Sequence, residues 1–314
     1  MDYRTLGKSG LRVSAVGLGC NNYGWRIPLE ETKRVVGRAL DLGISLFDTA
    51  DFYGKGQSEE YLGQSLGARR KDVVIATKFG LPMGEGEYAG GASRRYIRNA
   101  VEASLKRLGT DYIDLYQLHF PDAKTPMVET LRALTDLVRE GKVRYIGSSN
   151  LTGWQLVEAE WLAKSERLEP FISAQNQYNL LDRNIERELI PAAEAYGIGV
   201  LPYFPLASGL LTGKYKRGSA PQEGTRLAAN ADGAKRLLTE KNFDSVEKLS
   251  GFAAERGKGL LDLAFAWLLG QPRVGSVIAG ATKPEQVEAN VKAGEWRLSA
   301  EDVKAAGLIT FRLG

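Results

Sequence analysis

Residues 43–54 read GISLFDTADFYG, and the order of residue types in this stretch decides the fold. A glycine closes a helix-favouring segment, the β-favouring run ISLF follows, and the run ends on Asp48 before a loop that carries Tyr53. Gly43 suits the left-handed position after a helix because it has no Cβ to clash. The same alternation extends in both directions. Short apolar runs near 14–18, 44–48, 73–77, 113–118, 143–147, 172–175, 198–203 and 275–278 predict eight strands. The stretches 29–42, 57–67, 93–108, 124–139, 152–163, 184–195, about 243–269 and 284–293 predict amphipathic helices.

Eight strand-then-helix units in 314 residues suit the α/β class, as a (β/α)8 TIM barrel in a single domain over residues 1–314. Buried parallel strands of that kind must be covered by helices. A doubly wound sheet is the main alternative, since a local βα repeat does not reveal whether the sheet closes. Ser93 is placed to cap the helix beginning RRYIRNAVEASLKRL, with Ala100, Val101 and Leu105 on one apolar stripe. Pro284 fits the first turn of PEQVEANVKA, where its missing N–H is not needed. YRTLGKSGLRVS, residues 3–14, predicts an N-terminal β-hairpin covering the barrel bottom. Loop formers dominate 80–93 and 206–232; these extended barrel-mouth loops either frame a substrate opening or serve as plain connections.

Composition excludes several function classes. Lys and Arg number 42 against 38 Asp and Glu, a difference of +4 spread along the chain, so no concentrated basic face for nucleic acid is expected. One cysteine, Cys20, and one histidine, His119, exclude an intrachain disulfide, four-cysteine zinc and a histidine-rich metal site, so no metal is expected. The N-terminus lacks a signal-peptide run, and neither VSAVGLGC nor LLDLAFAWLLG reaches the roughly 20 residues that span a bilayer. No membrane association and a reducing cytoplasm are therefore expected. Self-association is not legible at this level, because surface patches need tertiary geometry.

The chemical signal comes from successive strand ends. Asp48 ends one strand, VVIATKFG (73–80) ends near Lys78, and IDLYQLHF (113–120) ends near His119, each about one βα unit apart. A barrel returns such positions to one mouth. Addition of hydride to a carbonyl creates alkoxide character, which needs an acid, and an ordinary tyrosine has a pKa of about 10. A protonated Lys78 would favour tyrosinate and make Tyr53 a better donor, Asp48 would hold Lys78 charged, and His119 would orient the carbonyl oxygen. Taken singly, Asp48 reads as a cap, Tyr53 as a packing ring, Lys78 as a solvent-facing lysine and His119 as a satisfied interior histidine. Their ordered occurrence is poorly explained by four independent accidents.

These segments, with GQSEEYLGQSLG (56–67), VEASLKRLGTDYIDLYQLH (101–119), GKVRYIGSSN (141–150), AQNQYNLLDR (174–183), PLASGLLTGKY (205–215) and VIAGATKPEQVEAN (277–290), closely resemble the aldo-keto reductase family. The chain is similar to that family's potassium-channel-beta-like and bacterial branch. The resemblance implies a TIM barrel, ordered binding of NADPH or NADP+, and metal-free reversible reduction of a small aldehyde or ketone. Asp48, Tyr53, Lys78 and His119 match the family's catalytic tetrad. Gly19, Cys20 and Asp48 match positions bordering the cofactor; Ser149, Asn150 and Gln175 match those holding the nicotinamide carboxamide; Tyr203 matches the ring beneath the nicotinamide. Gln286 and Asn290 match polar positions around adenosine, and Arg226 a basic residue on a loop closing over the phosphates. Lys283 can oppose a 2'-phosphate, with Gly280, Thr282 and the following helix start as donors. Without the resemblance, GLGC reads as a glycine-permitted bend, SSN as a turn, Tyr203 as core and Lys283 as a solvated lysine.

The chain also departs from the family. Ala279 stands where many members have Pro, and Phe204 where many have Ser. One branch has Lys, Ser and Arg at the positions of Gly280, Ala281 and Gln286, so NADPH over NADH rests on Lys283 and on the wider resemblance. GLGCNNYG (17–24) lacks G-x-G-x-x-G spacing, which argues against a separate Rossmann domain. Two other function classes stay open: a nicotinamide-cofactor-sensing regulatory subunit of a membrane complex, with weak reductase activity, and a barrel lyase or glycosidase, for which no carboxylate pair stands out. Trp25, Phe52 and Tyr88 either line an apolar substrate entrance or pack ordinary loops.

Overall fold

This computed structural model describes residues 1–310. Two short strands, β1 (Tyr3–Thr5) and β2 (Arg12–Ser14), pair antiparallel as the expected hairpin. The chain then runs β3 (Val16–Gly19), α1 (Leu29–Asp41), β4 (Leu46–Asp48), α2 (Gln57–Leu66), β5 (Val74–Phe79), α3 (Arg94–Leu108), β6 (Ile113–Leu118), α4 (Met127–Arg139) and β7 (Val143–Ser149). It continues through α5 (Gly153–Glu166), β8 (Ser173–Gln177), α6 (Leu189–Tyr196), β9 (Gly199–Tyr203), α7 (Ala231–Leu237), α8 (Glu240–Ala254), α9 (Leu260–Leu269), β10 (Val277–Gly280), α10 (Pro284–Ala293) and α11 (Ala300–Thr310).

Strands β3 to β10 are parallel and neighbour one another in the order β10-β3-β4-β5-β6-β7-β8-β9. The ring is completed just before β10, where the Val200 N–H donates to the Arg273 carbonyl at 2.7 Å and the Gly275 N–H to the Val200 carbonyl at 3.0 Å. That bridge decides between the two architectures, in favour of the TIM barrel over the doubly wound sheet.

Period-two alternation along the strands divides the core in two. Outward-facing residues such as Phe47, Ile75, Tyr116 and Val200 join the helices in one large apolar layer. Inward-facing Leu46, Val74, Ala76, Leu115, Leu201 and Ile278 form a smaller cluster, closed from below by Leu6 and Val13 of the hairpin. The hairpin therefore plugs the barrel floor and leaves the other end for chemistry.

Several local expectations hold. Ser93 Oγ accepts from the Tyr96 N–H at 3.3 Å, Gly43 follows α1 with φ of +80°, and Pro284 opens α10. The single helix expected over 243–269 is two, α8 and α9, because Gly257 takes φ of +67° and breaks the run. The stretch 124–139 becomes helical only after Pro126, consistent with the bias of proline against continuing a helix from its N-terminal side. Helices α7 and α11 had no strand-linked signal and were not anticipated. Among the described residues no helix is long and apolar enough to cross a membrane, and no group of three or more His, Cys, Asp or Glu is gathered as for a metal ion.

The floor sets a sharp steric demand at Gly7. Its φ is +61°, and an added Cβ would lie 2.7 Å from the Gly197 carbonyl oxygen and 2.7 Å from the Gly199 nitrogen. Both contacts are backbone, so neither can swing aside. Gly7→Ala is expected to destabilise the barrel by about 2–4 kcal/mol, the left-handed cost added to overpacking. A denaturant titration checks this; an unchanged midpoint would show that the hairpin is dispensable to the floor.

Candidate active site

The alternation that fills the barrel also builds the mouth. Two residues beyond the apolar layer on the same strands come Asp48 after Leu46, Lys78 after Ala76, Gln117 after Leu115 and Tyr203 after Leu201. The inward face thus turns from apolar to polar toward the C-terminal ends of the strands.

Lys78 is fully buried and Asp48 is 4% exposed. Lys78 Nζ donates to Asp48 Oδ2 at 2.8 Å, to the Thr49 carbonyl at 2.8 Å and to the Tyr53 hydroxyl at 3.4 Å. Asp48 Oδ1 accepts from Gln175 Nε2 at 2.7 Å and, at the limit of bonding, from Gln117 Nε2 at 3.5 Å. The Tyr53 and His119 rings meet edge to face with centroids 5.8 Å apart, and His119 stacks on Phe120 at 5.3 Å. All four residues of the expected tetrad therefore meet at one mouth.

Their protonation follows from this geometry. Burial works against the charge on Lys78, yet Asp48 and Tyr53 outweigh it and hold the lysine pKa above its ordinary value. Burial, then the Lys78 charge, pushes His119 down to about 3, so the imidazole is neutral across the physiological range. Its Nδ1 has no hydrogen-bond partner among the described residues. For Tyr53 the sequence pointed to a lowered pKa. Lys78 does pull in that direction, but burial is the larger effect, Asp48 adds to it, and the phenol ends above its usual value. As a residue Tyr53 is half-buried, and burial is the largest of the influences on its hydroxyl.

A second network continues around the mouth. Ser149 Oγ donates to the Gln175 carbonyl at 2.8 Å. Asn150, at φ of +61°, donates from Nδ2 to the His119 carbonyl at 2.9 Å and to Ser149 Oγ at 3.0 Å, and accepts the Tyr203 hydroxyl at 2.7 Å. This fixes the half-buried Tyr203 ring. Gly19 pairs with Asp48 on one side and Gly280 on the other. Cys20 lies wholly in the core, its thiol pushed well up by burial, and its backbone N–H donates to the Asp48 carbonyl at 2.8 Å. Phe204, the departure beside Tyr203, carries the Arg226 guanidinium 4.7 Å above its ring. Burial, and then Arg26, lower the Arg226 pKa.

At β10 and α10, Gln286 Oε1 accepts from the Thr282 N–H at 2.7 Å and the Thr282 hydroxyl at 3.2 Å, so this glutamine ties its helix back to the loop that precedes it. Asn290 is buried, Gly280 and Lys283 are exposed, and Lys283 has no carboxylate within ion-pair distance among the described residues. Trp25, Phe52 and Tyr88 are all exposed. Sequence reasoning missed Gln117, although its place between Leu115 and His119 gives it the inward parity. It also missed the Thr49 carbonyl, which no side-chain pattern reports.

Comparison with known proteins agrees with this geometry. A model described as "Aldo/keto reductase family" matches residues 15–307. The "Uncharacterized oxidoreductase YrpG" of Bacillus subtilis (strain 168) is 41% identical over 312 residues, 96% of this chain and 93% of that protein. A "Probable voltage-gated potassium channel subunit beta" of Oryza sativa subsp. japonica is 40% identical, covering 93% of this chain and 91% of its own. The "L-glyceraldehyde 3-phosphate reductase" of Escherichia coli (strain K12) is 38% identical, covering 93% and 87%. A family match over nearly the whole barrel, with oxidoreductases among such near relatives, means that the chain belongs to the aldo/keto reductase family and is an enzyme.

Proposed function

We propose that this enzyme reduces an aldehyde or ketone to an alcohol using NADPH, with Tyr53 as the proton donor. The observation that carries it is the buried Asp48–Lys78 pair reaching the Tyr53 hydroxyl beside a neutral His119. When bound, NADPH supplies the hydride that adds to the carbonyl carbon. Tyr53 holds its proton until negative charge develops on the carbonyl oxygen, then gives it up. Lys78 stabilises the resulting tyrosinate, and Asp48 keeps the ammonium charged and aimed. The neutral His119 imidazole offers one N–H to orient the carbonyl oxygen.

The chain's residues fit a nicotinamide dinucleotide in kind. Tyr203 is a clamped aromatic ring, Ser149 is a polar group ending β7, Gln175 is a polar group inside β8 whose Nε2 is held by Asp48, and Lys283 is an exposed cation where α10 begins. Asn150 has both ends of its amide engaged inside the protein, so contact with a carboxamide would require one of those bonds to be exchanged. The relatives named as potassium-channel β subunits support a second reading, a cofactor-sensing regulatory subunit with weak reductase activity; turnover separates the two.

Tyr53→Phe is expected to lower the hydride-transfer rate about 10²–10⁴-fold while cofactor affinity and thermal stability stay near wild type. Stopped-flow oxidation of NADPH across a carbonyl panel reads this, and an unchanged rate would remove Tyr53 from the chemistry. Lys283→Ala is expected to weaken NADPH binding about 5- to 20-fold, ~1–2 kcal/mol, and to leave NADH binding nearly unchanged. Equal affinities for the two cofactors before and after substitution, measured by direct titration, would reject the 2'-phosphate contact.

A further inference from the structure

On the outer side of β5 and β6 lies a set of ionisable groups that the proton transfer does not use. Glu59, in the first turn of α2, is fully buried and accepts from Thr77 Oγ1 at 2.5 Å and from Arg107 Nε of α3 at 2.7 Å. Beside it Asp51 is 1% exposed. The Phe52 N–H and the Tyr96 hydroxyl lie near its carboxyl, but the hydroxyl donates to the Leu81 carbonyl at 3.2 Å, and neither carboxylate oxygen has a hydrogen bond of good geometry among the described residues. The Tyr116 hydroxyl, whose largest outside charge is Asp51, is equally buried and equally without a partner. A carboxylate in such surroundings is expensive; a neutral acid, able to donate its own proton, is far less so.

Asp51 also sits on the strap that carries the mouth. Its N–H donates to the Lys78 carbonyl at 3.1 Å, Lys78 Nζ donates back to the Thr49 carbonyl at 2.8 Å, and the Tyr53 N–H donates to the Ala50 carbonyl at 3.2 Å. Residues 49–53 are thus tied to Lys78 from both of its ends. We propose that Asp51 is a positioning residue for the Lys78–Tyr53 pair, working as a neutral carboxylic acid from behind the barrel mouth. This rests on the reading of Tyr53 as the proton donor.

The groups facing Asp51 come from every neighbouring element: Glu59 on α2, Arg107 and Tyr96 on α3, Lys78 on β5 and Tyr116 on β6. Burial, then repulsion from Glu59, raise its pKa to about 7 against the pull of Arg107, the nearby Phe52 N–H and Lys78. The folded value lies above the ordinary 3.8, so the proton is held more tightly in the fold. The stability it contributes is complete below 3.8 and is lost as pH rises through about 7. Above that, a second carboxylate beside Glu59 repels it and competes with Asp48 for Lys78, which loosens the strap.

The test pairs an optical with a kinetic titration of the full chain between about pH 5.5 and 8.5. Infrared spectra of protein labelled with 13C-aspartate should show a buried carboxylic-acid C=O band that fades through about pH 7 and is missing in Asp51→Asn. The label separates it from Glu160, a half-buried glutamate also raised to about 7. Wild-type kcat should fall about fivefold between about pH 7 and 8, whereas Asp51→Asn, unable to ionise, should stay within about threefold of the wild-type rate at pH 6 and lose that limb. A wild-type spectrum without the aspartic-acid band overturns the proposal, even if Asp51→Asn fails to fold. A variant that keeps the wild-type limb also overturns it. The infrared arm needs no turnover, so a wrong assignment of the donor at Tyr53 would leave that arm intact and would show instead in Tyr53→Phe.

Discussion

The mouth depends on one buried ion pair. Removing Asp48 and Lys78 from water is costly, and the cost is offset only when every polar site on the pair is met. An ammonium has three N–H donors, and Lys78 has three acceptors around it: Asp48, the Thr49 carbonyl and the Tyr53 hydroxyl. The second oxygen of Asp48 is taken by Gln175, with Gln117 more distant. The pair thereby ties β4, β5 and β8 to the loop that carries Tyr53. Loss of one partner would strand the other charge, a penalty of about 3–5 kcal/mol in comparable buried pairs.

Strand stagger is what lets the pair form. Asp48 lies opposite Ala76, and Lys78 lies opposite Gln117, so the two charged residues are not cross-strand neighbours. Lys78 is one layer nearer the mouth, and only a long unbranched stem can reach back to the carboxylate while keeping its tip under Tyr53. A slip of one residue in β5 would turn the lysine outward into the apolar layer that holds Ile75. The buried apolar positions below therefore fix the register that the charged positions above require.

Much of this is legible in the sequence. The strand ends at Asp48, Lys78 and His119 are spaced by whole βα units, and a closed barrel turns that spacing into convergence. Closure itself was not legible, because the bonds at Val200, Arg273 and Gly275 join segments over seventy residues apart and leave no local pattern. The split between α8 and α9 was missed because Gly257 is one left-handed residue inside a long helix-favouring stretch. The direction of the Tyr53 shift was missed for a different reason: Lys78 is visible in a sequence, whereas the degree to which a hydroxyl is walled off is not. The same blindness hid Asp51, whose unmet oxygens exist only once α2, α3 and β6 have packed around it.

A raised tyrosine pKa does not conflict with the proposed reaction. The alkoxide that forms as hydride arrives is a far stronger base than a phenolate, whose parent acid ionises near a pKa of about 10. An acid that ionised early would reach neutral pH already spent. Burial keeps the Tyr53 proton in place at rest, and the Lys78 charge makes its departure tolerable once the substrate oxygen turns negative. His119, driven neutral by burial and by the same lysine, adds no competing positive charge and offers an N–H in place of a second transferable proton. On this account a single buried cation acts on both neighbours in the same sense, toward loss of a proton. The imidazole, which burial also disfavours charging, is left neutral with no acidic proton to give. The phenol, a much weaker acid that burial weakens further, still holds its proton when the alkoxide forms, and that difference assigns the proton to Tyr53.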